Sequence, residues 1–271
     1  MSEFLTAVLN LFNPEKLLLF ALVLTRVSGL VMIAPIYGSR DVPMRVRALL
    51  AFSLSLLIAP MPLEAEPLDP GALLNFLTFV GSELVIGYFL GLGVWLFFSG
   101  LQLAGQLIAQ VSGMALADVL NPALGGRVPL AAQMLYLFAT AIFLIIGGHR
   151  VLMAGLLDTF VTLPVGSGIS TVPLTETLLN ILTQSFSLGI RVAAPVTAAL
   201  LLSTLVMGLI GRTLPQLNIL MLSFGVNSMV SLSVLAFALG AISWTFQDQL
   251  QSVMETLFDA VGAAPQVRWF S

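Results

Sequence analysis

The chain has 271 residues, of which 58% are hydrophobic and only 8% charged, and its formal net charge is −3. Soluble domains carry about 25% charged residues, so this composition predicts an integral membrane protein. The acidic balance argues against nucleic-acid binding, which requires a basic surface, and a sequence without cysteine has no disulfide or cysteine metal site.

Six apolar runs follow one another along the chain, at residues 17–37, 48–61, 72–101, 130–147, 178–211 and 217–244. A backbone in lipid must satisfy its own hydrogen bonds, and the alternating pattern of a β-barrel is missing, so we expect helices. The second run is shorter than the roughly 20 residues that cross a bilayer and is not expected to span it independently. The predicted fold class is all-α, a polytopic membrane protein of long helices and helical hairpins.

The third run extends as a helical pattern to Gln110, about 58 Å in all, and overshoots any bilayer. Gln102, Gln106 and Gln110 recur at every fourth position and therefore share one face. An unsatisfied amide in hydrocarbon costs several kcal/mol, so this stripe needs water or polar partners. The stripe is either an inter-helix packing face or the wall of a wet lumen, and it is our candidate polar pore or partner face.

Two further features lie earlier in the same run. Gly87 and Gly91 form a Gly-x-x-x-Gly pair, which either permits close helix approach or is a chance pair in a glycine-rich chain. Glu83 lies deep in the apolar run, where a charge marks function by default. No carboxylate or histidine neighbours it in sequence, so we expect it to make a paired packing contact.

The loop that follows is apolar although glycine and proline break any helix there, at Asn121-Pro122 and Gly125-Gly126. Such a loop could close a pore by dewetting, because Asp118 and Arg127 are too few to form a charge filter. The alternative is a plain connection between helices. The candidate plug residues are Gly113, Met114, Leu116, Asp118, Val119, Leu120, Asn121, Pro122, Leu124, Gly125, Gly126 and Arg127.

Arg191 and Arg212 bracket about 20 apolar residues, or about 30 Å of helix, which is the thickness of a hydrocarbon core. We therefore expect both arginines at the ends of a span. The stretch from Arg212 through Pro215 and Gln216 to Asn218 is then a hairpin tip, with its amides free to contact a partner.

Two remaining features complete the chain. His149 has no second ligand at helical spacing, so a structural role is favoured over a proton relay or metal site. Residues 245–261 form an amphipathic, acidic pattern, which we expect to be a separate end helix docked on protein.

Over its whole length the chain resembles the flagellar biosynthesis protein FliR family, the R subunit of the type III protein export gate, which includes injectisome homologues. The matching segments are RVSGLVMIAPIYGSRDVPMRVR, LIAPMPLE, SELVIGYFLGLG, AGQLIAQVSGMALADVLNP, GGHRVLMAGLLDTFVTLPVGSG and AAPVTAALLLSTLVMGLIGRTLPQLNILMLSFG.

The resemblance implies a structural pore-forming subunit without enzymatic activity, cofactor or metal. It implies assembly with P-type and Q-type gate subunits and the B-type export switch protein, and passage of unfolded secreted proteins across the bacterial inner membrane at the flagellar basal body. It also implies a P-like half with the pore loop at residues 1–172, and a Q-like hairpin with an amphipathic end helix at residues 173–271. In that family the loop after the long helix plugs the pore at rest.

Two other functional classes are weaker alternatives. A stand-alone secondary transporter or channel should show related halves and a clustered charged site, whereas these charges are scattered. A membrane enzyme should show a catalytic constellation, and the sequence offers no such motif. The residues leave open whether the machine is a flagellum or an injectisome.

Overall fold

The computed structural model describes residues 14–39, 42–61, 73–114, 129–167, 171–214, 216 and 218–263. In these ranges all seven regular elements are α-helices, which confirms the all-α prediction. They are α1 (Pro14–Ile33), α2 (Met44–Ile58), α3 (Leu73–Ser112), α4 (Leu130–Ile145), α5 (Gly148–Thr162), α6 (Thr171–Thr213) and α7 (Ile219–Ala260).

Among the described residues, four helices are long and apolar enough to cross a membrane, namely α1, α3, α6 and α7. The helices α4 and α5 are bent by 66° at a short break and could together form a fifth span. Helix α2 has 15 residues, about 22 Å, and does not reach the required length, as predicted. The 40 residues of α3 confirm the prediction that this helix overshoots a bilayer.

Helix α5 was not predicted, although its sequence carries a signal. The side chains of Val151, Leu152, Leu156 and Phe160 are buried and recur at helical spacing. The segment is interrupted by Asp158 and two glycines and is less apolar than the spans, so a search for membrane-length runs passes over it. The amphipathic pattern alone therefore indicates this helix.

The predicted separate end helix is wrong, because residues 245–260 continue α7, which has 42 residues without a break. The change from apolar to amphipathic composition near Trp244 contains no glycine or proline, so it marks a change of surroundings rather than a helix end. The predicted orientation is confirmed. The apolar positions Phe246, Leu250, Val253, Met254, Leu257, Phe258 and Val261 are buried. The polar positions Asp248, Gln251, Glu255 and Asp259 are exposed.

The chain divides into two compact units. The first contains α1, α2, α3 up to Trp95, α5, α6 up to Asn180 and α7 from Ser252. The second contains α3 from Leu96, α4, α6 from Ile181 and α7 up to Gln251. The predicted division at residues 172 and 173 concerns likeness to other subunits and stays a prediction.

In the first unit α1 and α3 meet backbone to backbone at glycines. A Cβ atom on Gly87 would collide with the carbonyl oxygen of Arg26, and one on Gly91 would lie 3.1 Å from the carbonyl oxygen of Leu30. Gly29 of α1 is matched in the same way to Leu84 O, at 3.0 Å. The Gly-x-x-x-Gly pair therefore permits close helix approach, as the first of the two interpretations predicts.

In the second unit small residues and aromatic rings hold α3 to its neighbours. A Cβ atom on Gly100 would collide with the backbone of Ser185 in α6, and the Ser185 hydroxyl donates to Leu96 O at 2.7 Å. A Cβ atom on Gly105 would collide with the backbone of Ala132, so α4 runs close beside α3. The ring of Phe98 contacts three other rings, namely Tyr136, Phe143 and Phe246.

Replacing Gly87 by alanine should destabilise the protein by about 1 to 3 kcal/mol, because the added methyl group meets rigid backbone. The matched control is Gly81→Ala in the same helix, where a Cβ atom meets nothing within 4 Å and helix propensity predicts a gain of up to about 1 kcal/mol. Thermal unfolding of the detergent-solubilised protein measures both. Equal unfolding temperatures for the two variants would contradict the tight α1–α3 contact.

Candidate pore face and partner surfaces

A buried ion pair lies at the centre of the first unit. Arg26 Nε of α1 is 2.5 Å from Glu83 Oε2 of α3, and Arg26 Nη2 donates to Glu83 Oε1 at 3.0 Å. Their side chains are 0% and 1% exposed. The paired packing contact expected of Glu83 is therefore confirmed, and its partner is a residue that the sequence analysis did not single out.

The remaining donors of Arg26 reach the end of α5. Its Nη1 donates to the carbonyl oxygen of Thr159 at 2.8 Å and to the Thr159 hydroxyl at 3.2 Å, and its Nη2 donates to Leu163 O at 3.1 Å. A guanidinium group has five N–H donors, and these contacts use all of them. Thr159 O also accepts from the Leu163 N–H group at 2.9 Å, so Arg26 is its second donor, and Arg26 supplies a donor to Leu163 O just after the helix. The positive charge of Arg26 meets the negative end of the α5 dipole.

Glu83 also receives a bond from outside the helices, because the Gly166 N–H group donates to Glu83 Oε1 at 3.0 Å. The guanidinium carbon of Arg26 lies 4.3 Å from the centre of the Phe160 ring, within cation–π distance. The pair thus connects α1, α3, α5 and the segment after α5. A sequence signal existed, since an arginine and a glutamate each lay deep within an apolar run.

The glutamine stripe lies on α3 in the second unit. Gln106 and Gln110 are exposed and Gln102 is half-buried. Within the described ranges none of these three amides has a hydrogen-bond partner. The stripe is therefore available to water or to another chain.

The position of the stripe along the neighbouring hairpin can be read from two contacts. Just before the stripe, Gly100 of α3 meets Ser185 of α6. Just after the stripe, a Cβ atom on Gly113 would lie 3.7 Å from the Phe224 ring of α7. Gln102, Gln106 and Gln110 lie between these two contacts along α3.

The candidate plug loop begins where α3 ends. Gly113 has a φ of +81°, a conformation that favours glycine, and its N–H group donates to Gln110 O at 3.3 Å. Met114 is half-buried, and its N–H group donates to the Ser112 hydroxyl at 3.4 Å. The other candidate plug residues, namely Leu116, Asp118, Val119, Leu120, Asn121, Pro122, Leu124, Gly125, Gly126 and Arg127, lie outside the described residues.

The predicted hairpin tip lies between the end of α6 at Thr213 and the start of α7 at Ile219. Arg212 in the last turn of α6 and Gln216 are exposed, and Pro215 lies outside the described residues. Asn218 is also exposed, but its side chain makes a hydrogen bond within the chain. Its Oδ1 accepts a hydrogen bond from the Met221 N–H group at 3.3 Å, which is the geometry of a helix N-cap.

The two arms of the hairpin are joined by a polar contact that the sequence analysis missed. The Ser203 hydroxyl of α6 donates to Oδ1 of Asn227 in α7 at 2.7 Å. Nearer the tip, Gly211 lies against the Ile219 side chain. These two contacts fix the register of the arms. Ser203 and Asn227 are polar residues at similar distances from the tip, and this similarity is the sequence signal for their contact.

The remaining titratable site candidate is His149. It lies in the first turn of α5 after Gly147, whose φ is +76°, and its Nδ1 atom is buried without a hydrogen-bond partner in the described ranges. No group of three His, Asp or Glu side chains that could hold a metal ion occurs there either. The structural role of His149 stays a prediction.

Together these features define an all-α, multi-pass membrane protein with a long hairpin, an exposed amide face and a polar centre that is internally satisfied. The chain matches the family described as bacterial export proteins, family 1, over residues 17–253. It belongs to that family.

The relatives are flagellar biosynthetic proteins FliR. The protein of Aquifex aeolicus is 30% identical over 88% of this chain and 92% of its own length. That of Escherichia coli K12 is 30% identical over 90% of this chain and 93% of its own length. That of Bacillus subtilis is 26% identical over 88% and 92%. The predicted membership of the FliR family is confirmed.

Replacing Arg26 by methionine should cost about 3 to 5 kcal/mol of unfolding free energy, because it leaves the Glu83 carboxylate buried without its counter-ion. The double variant Arg26→Met/Glu83→Leu should lose less than Arg26→Met alone, because it removes both buried charges. The control is Arg45→Met at an exposed position of α2, which should change stability little. Chemical denaturation in detergent measures all three. A double variant less stable than Arg26→Met would show that the unpaired Glu83 carboxylate is not the cause of the loss of stability.

Proposed function

We propose that this chain is a structural, pore-forming subunit of the flagellar type III protein export gate, which passes unfolded proteins across the bacterial inner membrane. Membership of the export family and the names of the FliR relatives support a role in flagellar export. The observation that carries the pore-forming role is the exposed amide stripe of α3 beside otherwise apolar helices. The gate has no catalytic task for this subunit.

The amide stripe supports a wet surface for an energetic reason. Gln106 and Gln110 are exposed on α3, a helix in which Glu83 is the one charged residue and is buried. Facing lipid, each unsatisfied amide would cost several kcal/mol, so this face requires water or polar groups. In an assembly, a water-filled export channel and its lining subunits supply both. Gln102, half-buried above them, extends the same face.

The loop from Gly113 to Arg127 is our proposed plug. Gly113 follows the end of α3 in the left-handed conformation, and a Cβ atom there would lie 3.7 Å from the Phe224 ring. A channel wide enough for an unfolded chain would discharge the membrane if it stayed open. Leucine and valine side chains can close it by excluding water.

We propose that the partners are P-type and Q-type gate subunits around this chain, with residues 1–172 as the P-like half and 173–271 as the Q-like hairpin. The hairpin tip would contact other export components such as the B-type switch protein. The exposed apolar residues on α6 and α7 agree with a protein embedded among membrane helices and lipid. A stand-alone transporter is less well supported, since the buried Arg26–Glu83 pair has its hydrogen-bonding capacity occupied within the chain.

Deleting residues 116–124 should make the assembled gate leaky at rest, because the apolar barrier is lost while α3 and α4 keep their contacts. Planar-bilayer conductance of the purified complex measures the leak. The control is Asp118→Asn/Arg127→Gln, which removes both loop charges and should leave the resting conductance low. A deleted complex that assembles normally and stays as tight as the parent would show that this loop is not the plug.

The tip can be tested without weakening the helix. Gln216→Ala combined with Asn218→Ser keeps an N-cap oxygen before α7, whereas Asn218→Ala should lose about 1 kcal/mol of cap stability. We expect the first variant to reduce export while its abundance stays normal, as measured by secreted flagellin and by immunoblot. Normal export from that variant would mean that the tip serves only as a turn.

A further inference from the structure

The side of α3 that carries the glutamine stripe is open within the described part of the chain. Gln106 and Gln110 are exposed, whereas Ala104 and Ile108, which lie about 160° around the helix from Gln106, are buried. Helix α3 meets the backbones of α1, α4 and α6 at glycines, and the stripe contains no glycine. Long side chains keep a further helix at a distance, so this side is better suited to another kind of ligand.

Each glutamine of the stripe offers the hydrogen-bonding groups of a peptide unit. A side-chain amide has N–H donors and a C=O acceptor and carries no charge. The amides of Gln102, Gln106 and Gln110 have no hydrogen-bond partner in the described ranges. The one charged residue of α3 is Glu83, and its carboxylate is already bound by Arg26. The stripe is thus a row of peptide-like groups that does not select for the charge of a ligand.

The spacing of these amides matches that of an extended polypeptide. Positions four apart on a helix advance about 6 Å along it and turn about 40° around it, which places successive amides about 6 to 7 Å apart. In an extended chain every second residue presents its N–H and C=O groups at the same edge, at intervals of about 6.4 to 6.8 Å. One glutamine can therefore accept from the N–H group and donate to the C=O group of one residue, as paired strands do.

We propose that Gln102, Gln106 and Gln110 form a track that binds the backbone of the exported chain in an extended conformation. This inference rests on the export function proposed above and names the chemical group that the polar face recognises. Because the track binds main-chain groups, it accepts chains of any sequence. Hydrogen bonds between neutral groups are weaker than those to charged groups, so the chain can leave the track again. The track ends three positions before Gly113, where the proposed plug loop begins.

Disulfide cross-linking to a stalled substrate tests the track, since the chain has no cysteine of its own. Val111→Cys lies beside the stripe at a 38% exposed position and keeps all three glutamines. Cysteine-free flagellin, stalled in the complete export apparatus by a folded C-terminal fusion, receives one cysteine at each of about ten consecutive positions in turn. We expect at least about threefold more cross-linking at every second position, because side chains of an extended chain alternate in direction. Uniform cross-linking along the stalled segment would overturn the track.

Two variants in the Val111→Cys background test the amides themselves. Replacing all three glutamines by serine keeps the face wettable but shortens each polar side chain, so the alternation should disappear while cross-linking persists. The matched control is Asn75→Ser, which removes an exposed amide of α3 outside the stripe and should leave the alternation unchanged. Alternation that survives the triple serine variant would show that the glutamines do not hold the chain.

The export function is tested separately with Met114→Cys, at the start of the proposed plug loop. Cross-linking of stalled flagellin at position 114 and none at position 111 would refute the track and leave the export function supported. No cross-linking at either position would contradict both proposals. Benzoylphenylalanine at Val111 identifies the neighbour without a second thiol, and adducts mainly with another subunit during stalling would also refute the track.

Discussion

The ion pair between Arg26 and Glu83 imposes the strictest condition on this structure. Two ionised groups are removed from solvent entirely, and a pair in that state is tolerated only if every remaining donor and acceptor is satisfied. The pair lies where α1 and α3 are in backbone contact, because Gly29 and Gly87 leave no side chain between the two helices.

The same pair also binds the end of α5. Thr159 O in the last turn accepts from both the Leu163 N–H group and Arg26, and Leu163 O, just after the helix, accepts from Arg26. The Gly166 N–H group donates back to Glu83, so the segment that leaves α5 is bound through both charges. The segment after α5 is therefore bound by one side chain from α1 and one from α3.

Features that depend on neighbouring residues can be predicted from this sequence, whereas contacts between distant residues cannot. Apolar runs and the face of α7 are properties of neighbouring residues, and they were predicted correctly. The partner of Glu83 lies 57 positions away, so the pairing depends on packing that no local pattern encodes. The helix end predicted after Trp244 is wrong for the opposite reason, because the local composition changes there although no residue breaks the helix. Most candidate plug residues lie outside the described residues, so that part stays a proposal.

The second unit presents two surfaces that one solvent cannot satisfy. The hairpin exposes leucine and phenylalanine along α6 and α7, whereas α3 exposes Gln106 and Gln110. Lipid would accept the first surface and penalise the second, and water would do the reverse. The two faces must therefore meet different surroundings. Since the described part of the chain supplies no hydrogen-bond partner for these amides, this face requires water or polar groups from outside the chain.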